Sequence, residues 1–235
     1  FLKSISVVEV MIYALTLVLA FCSIVYELLL GQALSAFLGN TVLRYSVTIG
    51  LYMMSLGIGS MIAEGRFVAR PAVGLLRVET LLTLFGGGSV VFLFFIDSTG
   101  ATELTLSITA HLLIIIIGVL SGFEIPLLIA LKNLDAEYRD NAIIGINYLG
   151  AFLGTMTFAF ILYPYVGLIA TAFIIALLNA TVGMLLLLQK RHVPASDLPH
   201  FRGMLVIVST LALVLVYYLI MADYISELIL QAYLN

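Results

Sequence analysis

Charged residues are scarce in this sequence. Asp, Glu, Lys and Arg make up 10% of the 235 residues, whereas 63% are hydrophobic, and the mean hydropathy is +1.22. A soluble domain is about a quarter charged and near half apolar. This composition excludes an ordinary soluble domain and indicates an integral membrane protein. Because the sequence has no basic tract, nucleic acid is excluded as a partner.

Cysteine and histidine are also scarce, which restricts metal and redox chemistry. Cys22 is the only cysteine, so an internal disulfide and a cysteine-based metal site are excluded. His192 and His200 fall in a connection, and His111 alone falls in an apolar segment, which excludes a bis-histidine haem within a bilayer. The sequence also has no nucleophile–base pair and no phosphate loop. We therefore predict no metal, no cofactor and no catalytic site in this chain.

Long apolar runs are abundant. A helix needs about 20 apolar residues to cross a bilayer, and these runs are too long for strands. The sequence predicts an all-α fold, a polytopic membrane protein with seven transmembrane helices in one bundle that occupies residues 1–222. The predicted spans are 6–30, 45–63, 73–95, 105–131, 143–164, 168–188 and 204–222.

Turn residues support these boundaries. Gly39 followed by Asn40 and Thr41 is typical of a helix end and a new helix start. Pro164 with Gly167 predicts a tight turn between the fifth and sixth spans. 

The basic residues predict the orientation of the bundle. Nine of the ten lie at the N-terminus or near the connections on the same side, and only Arg44 lies on the opposite side. Under the positive-inside rule, this distribution predicts a cytoplasmic N-terminus and, after seven crossings, an extracytoplasmic C-terminus. The nine residues are Lys3, Arg66, Arg70, Arg77, Lys132, Arg139, Lys190, Arg191 and Arg202.

Glu124 is the most informative of the ionisable residues inside the spans. Such a residue costs about 2.5–3.5 kcal/mol near the middle of a span, so it needs a partner or a use. Its depth below the cytoplasmic end matches that of Asn147 on the next, antiparallel span. We therefore predict an inner polar cluster of Glu124, Asn147 and Tyr148, with Arg77 at comparable depth. Pro126 strengthens the prediction, because a proline frees a backbone carbonyl four residues earlier, and that carbonyl beside a carboxylate could bind a cation or an amine.

Glu27 and His111 form a predicted second pair near the outer side of the bundle. Glu27 lies about three residues from the predicted end of span one, and His111 lies about six residues into span four. At every one of these positions a structural role remains the alternative: a protonated acid hydrogen-bonded between helices, a satisfied histidine, or, for Arg77 and Glu79, an anchor at the membrane surface.

Small residues predict close helix contacts. Gly118 with Gly122, and Gly150 with Gly154, are pairs spaced by four that let helix backbones approach each other. These pairs lie on the spans that carry Glu124 and Asn147. The triplet at 86–88 predicts either a flexible break or a very tight crossing.

Three long blocks resemble a known family. CSIVYELLLGQALSAFLGNTVLRYSVTIGLYMMSLGIGS (22–60), GVLSGFEIPLLIAL (118–131) and NYLGAFLGTMTFAFILYPYVGL (147–168) are similar to the N-terminal membrane domain of the membrane-associated polyamine aminopropyltransferases, the spermidine synthase-like family. The family commonly has aspartate where this chain has Asn147, which removes a titratable acid. The motif positions that the resemblance assigns are Tyr26, Glu27, Glu124, Pro126, Tyr148 and Gly150.

The resemblance implies a function and a place. In that family a soluble transferase domain follows the spans, and we expect residues 223–235 to form an amphipathic helix or a linker to a domain outside this chain. We expect a multi-pass protein of the prokaryotic cytoplasmic membrane, surrounded by lipid, that anchors the domain and binds or passes a polyamine or another small cation. The alternative is a non-catalytic subunit that packs on membrane protein partners. Half of a secondary transporter is disfavoured, since no internal repeat is visible.

Overall fold

The fold is seen in a computed structural model that describes residues 7–65, 67–134, 140–222, 224 and 227. The regular elements in these ranges are helices, which confirms the predicted all-α fold for the part of the chain described. The predicted C-terminal segment 223–235 lies almost wholly outside the described residues. The helices are α1 (Val7–Leu38), α2 (Thr41–Ile62), α3 (Pro71–Ser98), α4 (Glu103–Gly122), α5 (Glu124–Asn133), α6 (Asp140–Thr157), α7 (Leu168–Leu185) and α8 (Leu198–Ile220).

Seven helical segments in the described ranges are long and apolar enough to cross a membrane. One of them joins α4 and α5, and another extends α6 through the π-helical residues Phe158–Val166. A third extends α7 through the 3-10 turn Leu186–His192.

The helix boundaries follow the turn residues of the sequence. Gly39 and Asn40 both adopt positive φ, at 63° and 49°, and the Asn40 side chain accepts a hydrogen bond from the Leu43 amide at 3.4 Å. This cap starts α2 directly after α1. Gly167, with φ of 81°, is the single residue between the π-helical extension of α6 and the start of α7. Glycine suits this position because a side chain is strained at such a φ.

The predicted fourth span is broken at Phe123. Proline cannot donate the backbone hydrogen bond that would reach back to Gly122, so the helix is interrupted three residues before Pro126. The Phe123 amide turns to the Leu120 carbonyl at 3.1 Å instead. The break places Glu124 in the first turn of the ten-residue helix α5.

The long helix α1 is the centre of the bundle. It contacts each of α2 to α7, and its buried residues, among them Leu19, Tyr26 and Leu29, form the middle of the apolar core. Helix α3 packs mainly against α7 and also contacts α4, α5 and α8. Helices α2 and α6 flank α1 and barely touch each other.

The paired glycines lie at close helix contacts. A Cβ on Gly118 would lie 2.7 Å from the Ser55 Cβ, and one on Gly122 would meet the Leu56 carbonyl of α2. On α6, Gly150 faces the Leu17 carbonyl of α1, and Gly154 faces Ile24.

The glycine triplet of α3 is a tight crossing and not a break. Helix α3 continues without interruption through residues 86–88. Gly86 lies against the ring of Tyr26, and a Cβ on Gly87 would come 2.8 Å from the Ala176 Cβ of α7. The glycines therefore bring α1 and α7 close to α3.

Candidate functional site

A cleft of about 360 Å³ lies between α1, α2, the α4–α5 break and α6. It extends along α1 over the eight residues from Ala20 to Glu27, which is about 10 Å of helix. Ser60, two residues before the end of α2, also lines it, so the cleft reaches that end of the bundle. The lining residues with polar side chains are Ser23, Glu27, Ser60, Ser121, Glu124, Asn147 and Tyr148.

Glu27 and Ser23 form the α1 side of the cleft. They are four residues apart, so they lie on one face of the helix, one turn from each other. Glu27 is only 3% exposed, because the neighbouring helices cover all but the side that faces the cleft.

Glu124 enters the cleft from the opposite side. It is 4% exposed, and its Oε1 atom has no hydrogen-bond partner among the described residues. Asn147 and Tyr148 approach from α6, and Tyr148, at 71% exposed, forms the rim. The cleft therefore holds two carboxyl groups, an amide and a phenol hydroxyl.

Tyr52 of α2 joins three helices beside the cleft. Its hydroxyl lies 3.0 Å from the Ser23 carbonyl oxygen and 3.1 Å from Ser121 Oγ. It can donate to the carbonyl while it accepts from a serine hydroxyl. This buried tyrosine fixes the distance between the serines that line the two walls, and the sequence analysis did not identify it.

The structure brings together residues that the sequence analysis placed in two separate clusters. Glu124, Asn147 and Tyr148 of the predicted inner cluster line the same cleft as Glu27 of the predicted outer pair.

His111 and Tyr26 are not among the residues that line the cleft. The His111 Nδ1 atom donates to the Ser107 carbonyl of its own helix at 2.5 Å, so the expected pairing with Glu27 is replaced by a contact within α4. Tyr26 is fully buried, and its hydroxyl donates to the Leu82 carbonyl of α3 at 3.4 Å. It therefore belongs to the packing between α1 and α3.

Arg77 also lies outside the cleft. It is exposed and lines a different pocket, of about 500 Å³, with Phe67, Arg70, Val73 and Gly74 at the start of α3. The depth estimate placed Arg77 near Glu124 because depth along a helix says nothing about which way a side chain points.

Glu79, the other acid of α3, is buried instead of anchored at the surface. It is 0% exposed, and neither of its carboxyl oxygens has a hydrogen-bond partner in the part of the chain that the structure describes. The expected anchoring role at the membrane surface is therefore wrong for Glu79.

The polar groups of the cleft are mainly hydrogen-bond acceptors. Carboxylate, amide and hydroxyl oxygens are acceptors that suit the N–H groups of an ammonium ion, and hydrogen bonds to charged groups contribute about 1.5–3 kcal/mol each. Within the described ranges, no group of three or more His, Cys, Asp or Glu residues could hold a metal ion.

Within the described residues, the fold and the cleft define an all-helical protein with seven apolar helical segments, four of which border a site that contains two acids. Comparison with known proteins then gives the family. A polyamine aminopropyltransferase of Leptospira interrogans is 32% identical over 74% of this chain and 34% of that protein. Polyamine aminopropyltransferase 2 of Ralstonia nicotianae is 35% identical over 71% of this chain and 33% of that protein. A polyamine aminopropyltransferase of Mycobacterium tuberculosis is 30% identical over 74% and 35%, respectively.

The chain belongs to the polyamine aminopropyltransferase family, as the three sequence blocks predicted. It spans about a third of the length of the curated relatives that it matches. No protein-family model matches the chain, and no solved structure matches it.

Proposed function

We propose that the chain is the membrane-spanning part of a spermidine synthase-like protein, and that it anchors this protein and binds a small organic cation in the cleft. Seven apolar helices support the crossing of the bilayer. Only 22%, 22% and 17% of the residues in the most apolar stretches of the spans that contain α2, α6 and α8 are buried inside the bundle. Lipid would therefore cover the outer faces of these helices.

The cleft supports a cationic ligand of the polyamine class. Glu27 and Glu124 come from different helices and share one space of about 360 Å³, which is within the range of small-molecule sites. This pairing of acids is the observation that carries the proposal. The names of the relatives add the substrate class, since each is a polyamine aminopropyltransferase.

The positive-inside rule supports an N-terminus on the cytoplasmic side. The bacterial sources of the relatives support a place in the cytoplasmic membrane of a prokaryote. Arg70 forms an ion pair with Asp197 at 2.7 Å, which joins the connections before α3 and before α8 at the same end of the bundle. Ser60 also lies near this end, so the cleft would open toward the cytoplasm.

Cysteines introduced by Val42→Cys and Glu64→Cys, at opposite ends of α2, test the orientation in intact cells. An impermeant thiol reagent should label only the first, and labelling of only the second would reverse the topology.

Spermidine binding to the chain in lipid nanodiscs tests the cleft. Calorimetric titration should show binding to the unchanged protein and a loss of at least about tenfold in affinity for Glu27→Gln or Glu124→Gln, because each change removes a charge-assisted hydrogen bond. Glu64→Gln and Glu103→Gln are matched controls, since both acids are exposed and lie outside the cleft. 

Two results would contradict this proposal. Unchanged affinity in both cleft variants would show that spermidine binds elsewhere. Absence of binding to the unchanged protein would show that spermidine is not its ligand. Uptake of spermidine by sealed vesicles that contain the protein decides whether the cleft also passes its ligand. Binding without uptake would show that the protein anchors and binds but does not transport spermidine.

A further inference from the structure

A second polar region lies between α3 and α7. Glu79 and Asn179 are both 0% exposed, and none of the four polar atoms of their side chains has a hydrogen-bond partner among the residues described. Each buried polar group left in this state costs about 1–3 kcal/mol. Both residues lie in the seam between α3 and α7, and this cost indicates that they have a use.

Asn179 lies on the face of α7 that packs against Glu79. The Thr83 hydroxyl approaches the Ala176 carbonyl at 3.4 Å, and a Cβ on Gly183 would lie 3.4 Å from the Glu79 Cβ. Asn179 is three residues after Ala176 and four before Gly183, so the three share one helix face. The amide therefore faces the same seam as the carboxyl group.

Glu79 and Glu124 lie at the same level of the bundle. The Leu127 side chain of α5 meets Gly74 of α3, and the two helices run in opposite directions. Glu124 lies three residues before Leu127 on α5, and Glu79 lies five residues after Gly74 on α3. Both acids are therefore displaced from this contact in the same direction, away from the end of the bundle at which α3 begins. The two carboxyl groups are close enough to interact electrostatically.

Two neighbouring acids in a water-poor site cannot both be charged without a compensating cation. No such cation comes from α7, which contains no titratable residue. Helix α1 contributes Cys22, Tyr26 and the acid Glu27, none of which is a cation. Tyr52 of α2 faces Glu124 and Glu27. Lys132, two turns along α5 from Glu124, lies 5.3 Å from the centre of the Tyr13 ring.

We propose that the cleft exchanges a cation for a proton. When the cleft is empty, Glu79 and Glu124 are both neutral acids. When an ammonium group binds, Glu124 loses its proton to water through the cleft, and Glu79 keeps its own. One positive charge enters and one leaves, so the net charge of the site is unchanged. This inference rests on the proposed binding of a cation.

Glu79 acts in this exchange as a positioning residue. A neutral carboxylic acid can donate a hydrogen bond, whereas a carboxylate can only accept one. The acid of Glu79 can therefore support the carboxylate that forms on Glu124, with the Asn179 amide behind it. A glutamine at 79 keeps an N–H donor in place of the acid, and a leucine removes the donor while it keeps the size.

Proton release upon spermidine addition tests the exchange. In weakly buffered nanodiscs near neutral pH, a pH-indicator dye should report release of about one proton per bound spermidine that depends on Glu124. Glu79→Gln should keep both the release and the affinity, Glu79→Leu should weaken binding by about tenfold, and Glu124→Gln should abolish the release. Glu64→Gln, which changes an exposed acid outside the cleft, is the matched control, and Glu27→Gln at saturating spermidine shows whether the released proton comes from Glu27.

Infrared difference spectra give an independent measure. Spermidine should remove a carbonyl band of a neutral carboxylic acid in the unchanged protein and in Glu79→Gln, and the band should be missing in Glu124→Gln. The ligand-free protein should show a second neutral-acid band that is lost in Glu79→Gln and Glu79→Leu and persists in Glu124→Gln.

The outcomes separate the two proposals. If spermidine fails to bind the unchanged protein, the proposed function is contradicted, and the ligand-free spectra still show whether both acids are neutral. If spermidine binds without proton release, the exchange alone is wrong. Release that disappears in Glu79→Gln but persists in Glu124→Gln would also overturn it. If Glu79→Leu does not fold, proton release in Glu79→Gln and the infrared spectra of the unchanged protein still test the exchange.

Discussion

The cleft and the seam between α3 and α7 are two polar regions of the same bundle, and they differ in the space around their acids. In the cleft, Glu27 and Glu124 border a volume of about 360 Å³ that a ligand can enter. In the seam, Glu79 and Asn179 are fully enclosed by packed side chains. Burial of an acid is therefore not sufficient for a binding site, since a site also needs space and a route to it.

The largest difference between the two regions is expected in access to water. Ser60→Cys places a thiol in the cleft. The native Cys22 is fully buried and lies beside the seam, with its Sγ atom 3.9 Å from the carbonyl oxygen of Ile175, which directly precedes Ala176 on α7. A water-soluble maleimide should label the introduced thiol at least about a thousandfold faster than Cys22, because a buried group reacts only after a local opening that costs about 4 kcal/mol or more.

Mass spectrometry of the labelled protein identifies the site, and the unchanged protein is the control for Cys22. Equal rates at the two positions would show that the region around Cys22 is as open as the cleft, and the comparison would fail.

A single added methyl group should have opposite effects on the two regions. A Cβ on Gly59, at the helix contact beside the cleft, would come within 2.9 Å of the Val119 carbonyl carbon. Gly59→Ala should therefore destabilise the protein by about 2–3 kcal/mol. Gly183, in the seam, has ordinary contact distances of 3.4 Å or more at the same position, so Gly183→Ala should be neutral or stabilising by about 0.5–1 kcal/mol.

The unfolding midpoint in detergent, measured side by side for both variants, checks this difference. A strong loss of stability for Gly183→Ala would mean that the seam is packed as tightly as the contact between α2 and α4.

The smallest effect is expected from the two buried tyrosine hydroxyls. Tyr52→Phe removes contacts of 3.0 and 3.1 Å to Ser23 and Ser121, and it should cost about 1 kcal/mol. Tyr26→Phe removes a longer contact of 3.4 Å to Leu82, and it should cost less than about 0.5 kcal/mol. Chemical denaturation of the two variants gives the difference, and a larger loss for Tyr26→Phe would contradict the weaker hydrogen bond between α1 and α3.

The helices and their close contacts could be predicted because local patterns determine them. Apolar length determines a spanning helix, Gly39 and Gly167 mark turns, and the spacing of Gly150 and Gly154 puts both on one helix face. The shared depth of Glu124 and Asn147 could be predicted for the same reason, since rise per residue is constant.

The position of Glu27 could not be predicted from the apolar run alone. The run suggested an end near residue 30, but α1 continues to Leu38, so Glu27 lies eleven residues before the end of the helix and reaches the same cleft as Glu124. Polar residues such as Gln32 and Ser35 are tolerated in this extension because the helix packs against its neighbours.

Glu79 illustrates a second limit. It lies eight residues after the start of α3, but the direction of its side chain depends on how α3 rotates against α7. That rotation is set by contacts far apart in the sequence, such as those of Gly86 and Gly87. The same position along α3 would suit either a surface anchor or a buried acid, and the rotation of the helix places Glu79 in the seam.

The break at Phe123 makes α5 a separate lever. Ten residues give the helix a length of about 15 Å, with Glu124 near the pivot and Asn133 at the free end. A tilt of about 10° at the pivot would move the free end by about 3 Å over that length. Rigid rotation of α5, with no helix having to unwind, would therefore relay occupancy of the cleft to the end of the bundle at which Arg70 and Asp197 form their ion pair.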